Sequence, residues 1–184
     1  MSIGAKKRVL GLAVTGLGIG AAAPAAFWFL SMALDRALGF GPVIAVPVSL
    51  ILAAAAILVG VFWATWAYSY LVFVGKGLPL EAFGRALHPT KLLVTAGPYA
   101  YTRNPMVLGA LSMMLGIAFL RRSPAGIILV PVIAALTAAY LAEFEEKALL
   151  KRFGRDYEEY RRNVPMLIPR LTPYIHEPAA TPNP

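Results

Sequence analysis

The sequence contains no cysteine and only two histidines, and each shortage excludes a class of chemistry. Without cysteine the chain forms no disulfide, holds no zinc through thiolates and offers no cysteine nucleophile. His88 precedes a proline and His176 lies near the C-terminus, so the two histidines do not form a metal-ligand pattern. Any chemistry is therefore expected to use carboxylates, Arg, Lys, Tyr, backbone groups or a bound cofactor, with no metal.

Charge is also scarce, at 14% of the 184 residues, whereas soluble domains average about 25%. Hydrophobic residues make up 59% of the chain and are concentrated in long uncharged runs. Such runs predict helices that cross a bilayer rather than one large water-soluble core. The sequence therefore predicts an all-α, polytopic helical membrane protein.

Four uncharged stretches are long enough to cross the hydrocarbon, which takes about 20 residues of helix. Gly39, Gly41, Pro42 and Pro47 all precede the body of the second stretch, which predicts one long helix there rather than two. The four predicted spans cover residues 9–34, 43–74, 104–120 and 124–142 of a single integral membrane domain, and the tail 176–184 is rich in Pro and Ala.

The basic residues set the expected orientation, because Lys and Arg are retained on the cytoplasmic side. With both termini inside, all but three of the 17 basic residues are cytoplasmic, and the exceptions are Arg36, Arg121 and Arg122. The basic residues that give the chain its net charge of +8 lie mostly on this face of the membrane. This distribution favours anionic lipid headgroups as partners over nucleic acid.

The third and fourth spans are predicted to form a tight helical hairpin, because Ser123 suits a helix N-cap and Pro124 a first helical position. Counted from Arg122, Arg103 lies 19 residues before the turn and Glu145 lies 23 residues after it. At about 1.5 Å per residue their heights differ by about 6 Å, so the fourth helix must extend past the bilayer to carry its glutamates. Arg103 and these carboxylates are expected to meet at the cytoplasmic interface.

No charged residue or histidine lies inside a predicted span, which disfavours a transporter or ion pathway. Polar residues concentrate in the predicted cytoplasmic segments 76–103 and 143–170. Asn104 and Pro105 suit the N-cap and first position of a helix whose free N–H groups, with Arg103, attract an anion. The structural alternative is an ordinary cap with Arg103 at lipid headgroups, and glutamates on a solvated helix face.

A longer pattern joins these segments. In chain order it consists of Gly97-Pro98-Tyr99, Thr102-Arg103-Asn104-Pro105-Met106, Gly109, an apolar hairpin, Glu145-Glu146-Lys147 and Phe153-Gly154-x-x-Tyr157-x-x-Tyr160. The set resembles the isoprenylcysteine carboxyl methyltransferase and phospholipid methyltransferase superfamily, over about residues 89–169. Members of this superfamily are integral membrane enzymes, and many have His where Asn104 stands and Tyr shortly after the proline.

The resemblance implies transfer of a methyl group from S-adenosylmethionine to a lipid-like acceptor, leaving S-adenosylhomocysteine. Carried over by position, the cofactor-binding residues are Gly97, Tyr99, Arg103, Asn104, Pro105, Met106, Gly109, Glu145 and Glu146, and the catalytic residues are Arg103, Glu146 and Tyr157. This agrees with the residue chemistry, since Arg103 suits the carboxylate of the cofactor and a glutamate suits its ammonium group.

The acceptor is expected to arrive from the bilayer, and the carboxylate of an isoprenylcysteine-type substrate is the first expectation. A phospholipid amine or another hydrophobic acceptor stays open, and an amine would need Glu145, Glu146, Tyr157 or Tyr160 to take its proton. A hypothesis of another class is a non-catalytic four-helix membrane scaffold with a basic cytoplasmic face.

Overall fold

The structure is a computed structural model that describes residues 22–75 and 92–175, together with the residue pairs 81–82 and 85–86. Residues 9–21 of the first predicted span, the rest of the segment 76–91 and the tail 176–184 lie outside the described residues. The chain divides into two compact units. The first unit contains residues up to Ile57 and Met113–Pro131, and the second contains Leu58–Ser112 and the residues from Val132 onward.

The described residues are mainly helical, which confirms the all-α part of the predicted class. The helices are α1 over residues 22–38, α2 (Val46–Phe73), α3 (Pro105–Arg121), α4 (Pro124–Tyr140), α5 (Glu146–Phe153) and α6 (Arg155–Asn163). A 3₁₀ turn (Gly97–Ala100) precedes α3, and a π-helical turn (Leu141–Glu145) joins α4 to α5. The sequence did not predict this π turn, nor the two-residue antiparallel strands β1 (Glu81–Ala82) and β2 (Arg85–Ala86).

Two helices are long and apolar enough to cross a membrane. The first is α2, whose 28 residues are all uncharged and correspond to about 42 Å of helix. The second is the continuous helix Pro124–Phe153, formed by α4, the π turn and α5, while α3 is a shorter apolar helix of 17 residues. The predicted single long second helix and the extension of the fourth helix past Ala142 are both confirmed.

The end of α1 differs from the prediction that the first span stops at Leu34. The helix continues through Asp35 and Arg36 and ends before Gly39, whose φ of +67° is left-handed. There the N–H of Gly39 donates to Arg36 O and that of Phe40 donates to Asp35 O, which is a Schellman ending. The sequence interpretation marked the limit of the uncharged stretch, whereas a left-handed glycine ends the helix.

The turn between α3 and α4 forms as predicted. Ser123 Oγ accepts a hydrogen bond from the N–H of Gly126 at 2.9 Å, which caps α4, and Pro124 is the first residue of the helix. Arg122 has a φ of +57° and occupies the position after α3 that glycine usually fills in a Schellman ending. Its left-handed backbone costs about 1 kcal/mol relative to glycine.

In the second unit, α2 and α3 approach closely at Gly109. A Cβ atom at this position would lie 2.8 Å from Gly60 O and 2.9 Å from the backbone nitrogen of Ala64. Both neighbours are backbone atoms of α2, so they move only if the helix moves. Close approach through small residues is a common way for apolar helices to associate without a polar interface.

We expect Gly109→Ala to lower the stability of the folded protein by about 1–3 kcal/mol, because the added methyl group forces α2 and α3 apart. Thermal unfolding in a fixed detergent measures the effect. Gly41→Ala is the matched control, since a Cβ at Gly41 meets no atom within 4 Å. Equal melting temperatures for the two variants would contradict the proposed close contact.

Candidate active site

The beginning of α3 is held by hydrogen bonds to the segment after α6. The N–H of Arg103 donates to Pro165 O at 2.9 Å, and Asn104 Nδ2 donates to Met166 O at 3.1 Å. Thr102, which is fully buried, donates through Oγ1 to Met166 O at 2.9 Å. These bonds fix the backbone from which Arg103 projects. The sequence motif contained Thr102, but its side chain was not predicted to be part of the site.

Asn104 occupies the predicted N-cap position. Its carbonyl accepts the hydrogen bond from the N–H of Leu108, which is the first bond of the helix, and Pro105 follows as the first helical residue. The side-chain nitrogen of Asn104 binds the segment after α6, so this residue links the two elements.

At the centre of the site, Arg103 and Glu146 form a buried ion pair. Arg103 Nη2 lies 2.7 Å from Glu146 Oε1, and the two side chains are only 10% and 7% exposed. Arg161 on α6 approaches the other carboxylate oxygen, with Nη1 3.5 Å from Oε2, and is 46% exposed. Arg103 also donates from Nη1 to Arg161 O at 2.9 Å. One carboxylate therefore lies between two guanidinium groups. The sequence spacing about the hairpin predicted the contact with Arg103 but not the contact with Arg161.

The π turn determines which glutamate points inward. A π turn adds one residue to the helical repeat, which rotates the following residues by about 100° relative to a regular α-helix. Glu146 is the first residue after this turn and is buried, whereas Glu143 is exposed and forms an ion pair with Lys147. The sequence motif predicts both Glu145 and Glu146 as cofactor-binding and Glu146 alone as catalytic, but no residue in the sequence signals the turn that buries Glu146.

Two buried tyrosines, Tyr157 and Tyr160, lie near the ion pair, and a third, Tyr99, is hydrogen-bonded to Tyr160. Tyr160 OH donates to Tyr99 O at 2.7 Å, and the rings of Tyr157 and Tyr160 lie 6.2 Å apart. Burial raises the pKa of Tyr157 above its usual value, and the carboxylate of Glu146 acts in the same direction. Burial also raises the pKa values of Tyr99 and Tyr160. These phenols are therefore protonated at neutral pH and act as hydrogen-bond donors rather than bases.

The ion pair has hydrogen-bonding capacity that the described residues do not use. Arg103 Nε and Glu146 Oε1 are both buried, and neither has a hydrogen-bond partner within residues 22–75 and 92–175. Oε1 forms an ion pair with Arg103 Nη2, but the geometry of this contact is not that of a hydrogen bond. Buried polar groups of this kind are unfavourable unless something binds them. A ligand that carries both an anion and a cation matches this donor and acceptor.

The structure brings only some of the predicted residues together. Arg103, Glu146 and Tyr157 meet at the ion pair, and Glu145 is close enough to influence the pKa of Tyr99. The remaining predicted cofactor-binding residues have structural contacts. Gly97 has a φ of +62° and lies against the ring of Tyr70, Met106 packs on the cluster of Ala67, Val94 and Tyr99, and Gly109 lies against α2.

Curated relatives match a large part of the chain. A methanethiol S-methyltransferase from Bradyrhizobium diazoefficiens is 31% identical over 64% of this chain and 48% of its own length. The cobalt-zinc-cadmium resistance protein CzcN from Cupriavidus metallidurans is 31% identical over 61% of this chain and 56% of its own length. A protein-S-isoprenylcysteine O-methyltransferase from Schizosaccharomyces pombe is 36% identical over 44% of this chain and 34% of its own length.

The chain thus spans about half the length of the first two relatives and a third of the last. A family model described as phospholipid methyltransferase matches residues 48–156, more than half of the chain. This match extends from α2 into α6 and includes Arg103 and Glu146. On this match, and on the resemblance carried by the sequence motifs, the chain belongs to the phospholipid methyltransferase family.

Proposed function

We propose that the chain transfers a methyl group from S-adenosylmethionine to a lipid-like acceptor at the membrane surface. The observation that carries this proposal is the buried pair of Arg103 and Glu146, with one unused donor and one unused acceptor, at the beginning of α3. Membership of the family and the names of two relatives support methyl transfer. The whole chain's activity and substrate are part of the proposal.

The charged groups fit the amino acid portion of the proposed cofactor. S-adenosylmethionine has a carboxylate and an ammonium group, which match the unused donor of Arg103 and the unused acceptor of Glu146. The N-terminal end of α3 adds partial positive charge on the side of the carboxylate. We assign Arg103 to the carboxylate and Glu146, with Glu145, to the ammonium group.

When bound, S-adenosylmethionine supplies an activated methyl group that is displaced from sulfur in line with the attacking acceptor atom. The chain's residues have to orient the two partners and exclude water, which accounts for much of the acceleration in such reactions. Tyr157 is buried beside Glu146 and keeps its proton, so it suits hydrogen bonding to the reactants. No nucleophilic side chain is required.

For the acceptor, we propose an anionic group, with the carboxylate of an isoprenylcysteine-type substrate first. A carboxylate is already ionised and needs a cation rather than a base, and Arg161 has an exposed guanidinium beside the pair. The raised pKa values of Tyr157 and Tyr160 leave these residues unable to take a proton at neutral pH. The partial similarity to an isoprenylcysteine methyltransferase supports the same choice.

The alternative acceptor is a phospholipid amine, which the description of the family favours. Such an amine must lose a proton, and Glu145 or Glu146 is then the acceptor of that proton. Purified protein supplied with S-adenosylmethionine and either a farnesylcysteine analogue or phosphatidylethanolamine distinguishes the two. Methylation of phosphatidylethanolamine alone would overturn the carboxylate assignment.

We further propose four membrane spans with both termini in the cytoplasm. Support comes from α2 and the helix Pro124–Phe153, which are long and apolar enough to cross a membrane, and from the distribution of basic residues. The acceptor then reaches the site from the bilayer, with its tail among the helices and its head at the interface.

We expect Arg103→Ala and Glu146→Gln each to weaken binding of S-adenosylhomocysteine by about 1–3 kcal/mol, because each removes a charged hydrogen-bonding group. Calorimetric titration of detergent-purified, full-length protein measures the loss, which corresponds to a change in Kd of about 5-fold to 150-fold. Thermal unfolding first establishes that each variant is folded.

Glu143→Gln is the matched control for Glu146→Gln, since it makes the same change three residues away in an exposed ion pair with Lys147. Its affinity is expected to equal that of the wild type. Equal affinity in all four proteins would refute the site assignment. A folded wild type that binds no S-adenosylhomocysteine would favour the membrane scaffold over the enzyme.

We expect Tyr157→Phe to lower kcat/KM by about ten-fold through loss of a hydrogen bond near a charged group. The shape of the pH profile between pH 6 and 9 should not change, because the raised pKa keeps this hydroxyl protonated throughout that range. An ionisation in this range that is present in the wild type and lost in the variant would show instead that Tyr157 acts as a base.

A further inference from the structure

A second charged site lies in the first unit. A cavity of about 340 Å³ is located where α1 ends, α3 ends and α4 begins. Its charged lining consists of Asp35, Arg36, Arg121 and Arg122. Three positive charges and one negative charge give this lining a net charge of +2, so the cavity suits an anion.

The single carboxylate of the cavity is already occupied by two partners. Asp35 Oδ1 accepts a hydrogen bond from the N–H of Ala125 at 3.1 Å, at the N-terminal end of α4. Asp35 Oδ2 forms an ion pair with Arg121 Nη2 at 3.5 Å. Asp35 therefore compensates one guanidinium and caps a helix, which leaves the charges of Arg36 and Arg122 without a carboxylate at the cavity.

The arginines retain donors for a ligand. Arg121 is held in place because its guanidinium lies 4.9 Å from the centre of the Trp28 ring, and its buried Nε has no hydrogen-bond partner within the described residues. The side chain of Arg36 is exposed and forms no ion pair with any residue that the structure describes. A buried donor next to an uncompensated cation indicates a place for an acceptor with negative charge.

Arg122 supports the same interpretation. Its Nε donates to Ile44 O at 2.6 Å, which holds the side chain beside the cavity. Its φ of +57° is a strained conformation that glycine would adopt more easily at the end of α3. The helix ending does not require an arginine here, and the guanidinium of Arg122 adds positive charge to the lining of the cavity.

We propose that this cavity binds the phosphate group of an anionic phospholipid. Guanidinium groups bind phosphate oxygens through paired hydrogen bonds. Basic pockets between membrane helices bind anionic lipid headgroups on the cytoplasmic side of other membrane proteins, and this cavity has the same kind of lining. Met32 and Phe40 also line the cavity, so a ligand with both a phosphate and an apolar part matches it better than an ion alone.

The orientation expected from the sequence adds a reason for this choice. The predicted orientation leaves three basic residues on the extracytoplasmic side, where Lys and Arg are normally rare, and these are Arg36, Arg121 and Arg122. All three arginines line this same cavity. A lipid of the extracytoplasmic leaflet is therefore the proposed ligand.

The test uses calorimetric titration of short-chain phosphatidylglycerol into full-length protein in detergent, in parallel with phosphatidylcholine of the same chain length. We expect phosphatidylglycerol to bind at least ten-fold more tightly. Arg36→Gln and Arg122→Gly are each expected to weaken its binding by about ten-fold, as loss of one charged hydrogen-bond donor predicts. Arg121 is left unchanged because its ion pair with Asp35 and its contact with Trp28 contribute to folding.

Lys151→Gln is the matched control, because it removes one exposed positive charge outside the cavity. A third titration with inorganic phosphate separates the possible sources of the ligand. If inorganic phosphate binds equally well and with the same dependence on the two arginines, the phosphate site is supported but its assignment to a lipid is overturned. Equal binding of the two lipids, or unchanged binding of phosphatidylglycerol in both Arg36→Gln and Arg122→Gly, would overturn the proposal.

Discussion

The arrangement of the second unit depends on a buried carboxylate between two guanidinium groups. Glu146 is almost inaccessible, and its contact with Arg103 at 2.7 Å takes both charges out of water. Burial of two ions has a desolvation cost that their attraction often only balances, so such a pair is weak support for stability. Removal of one partner is nevertheless destructive, because the other charge stays buried and uncompensated. The pair is therefore not by itself strong support for stability, which agrees with the proposed role of Arg103 and Glu146 in ligand binding.

Other contacts of the second unit keep this pair in place. The backbone before α3 is bound by the segment after α6 at Arg103 and again at Tyr101, whose carbonyl accepts from the N–H of Arg170 at 2.9 Å. On the other side, Tyr157 and Tyr160 pack with Val164 into a buried cluster. The N-terminal part of the motif, which ends at Gly109, and its C-terminal part, which begins at Glu145, thus form one structure.

The features that depend on the length of an uncharged stretch or on local helix capping were predictable from the sequence. The single α2, the hairpin at Ser123 and Pro124, and the meeting of Arg103 with a glutamate all follow from them. Helix ends that are set by backbone geometry were harder to predict, as the continuation of α1 up to Gly39 shows. The choice of Glu146 over Glu145 depends on a π turn, for which the sequence has no local signal. The sequence also has no local signal that Gly109 contacts α2. Its position in the motif therefore did not distinguish it from the residues beside the ion pair.

The segment after α6 holds the beginning of α3 largely through its own main chain. Pro165 and Met166 contribute carbonyl oxygens, and Tyr174 contributes its N–H to Ala100 O. Every residue type has a main-chain carbonyl and every type except proline has an N–H, so these bonds constrain the path of the segment more than the identity of its side chains. The exposed side chains of Ile168 and Leu171 take no part in these hydrogen bonds. The geometry around Arg103 therefore depends on the main-chain path of this segment more than on its exposed side chains.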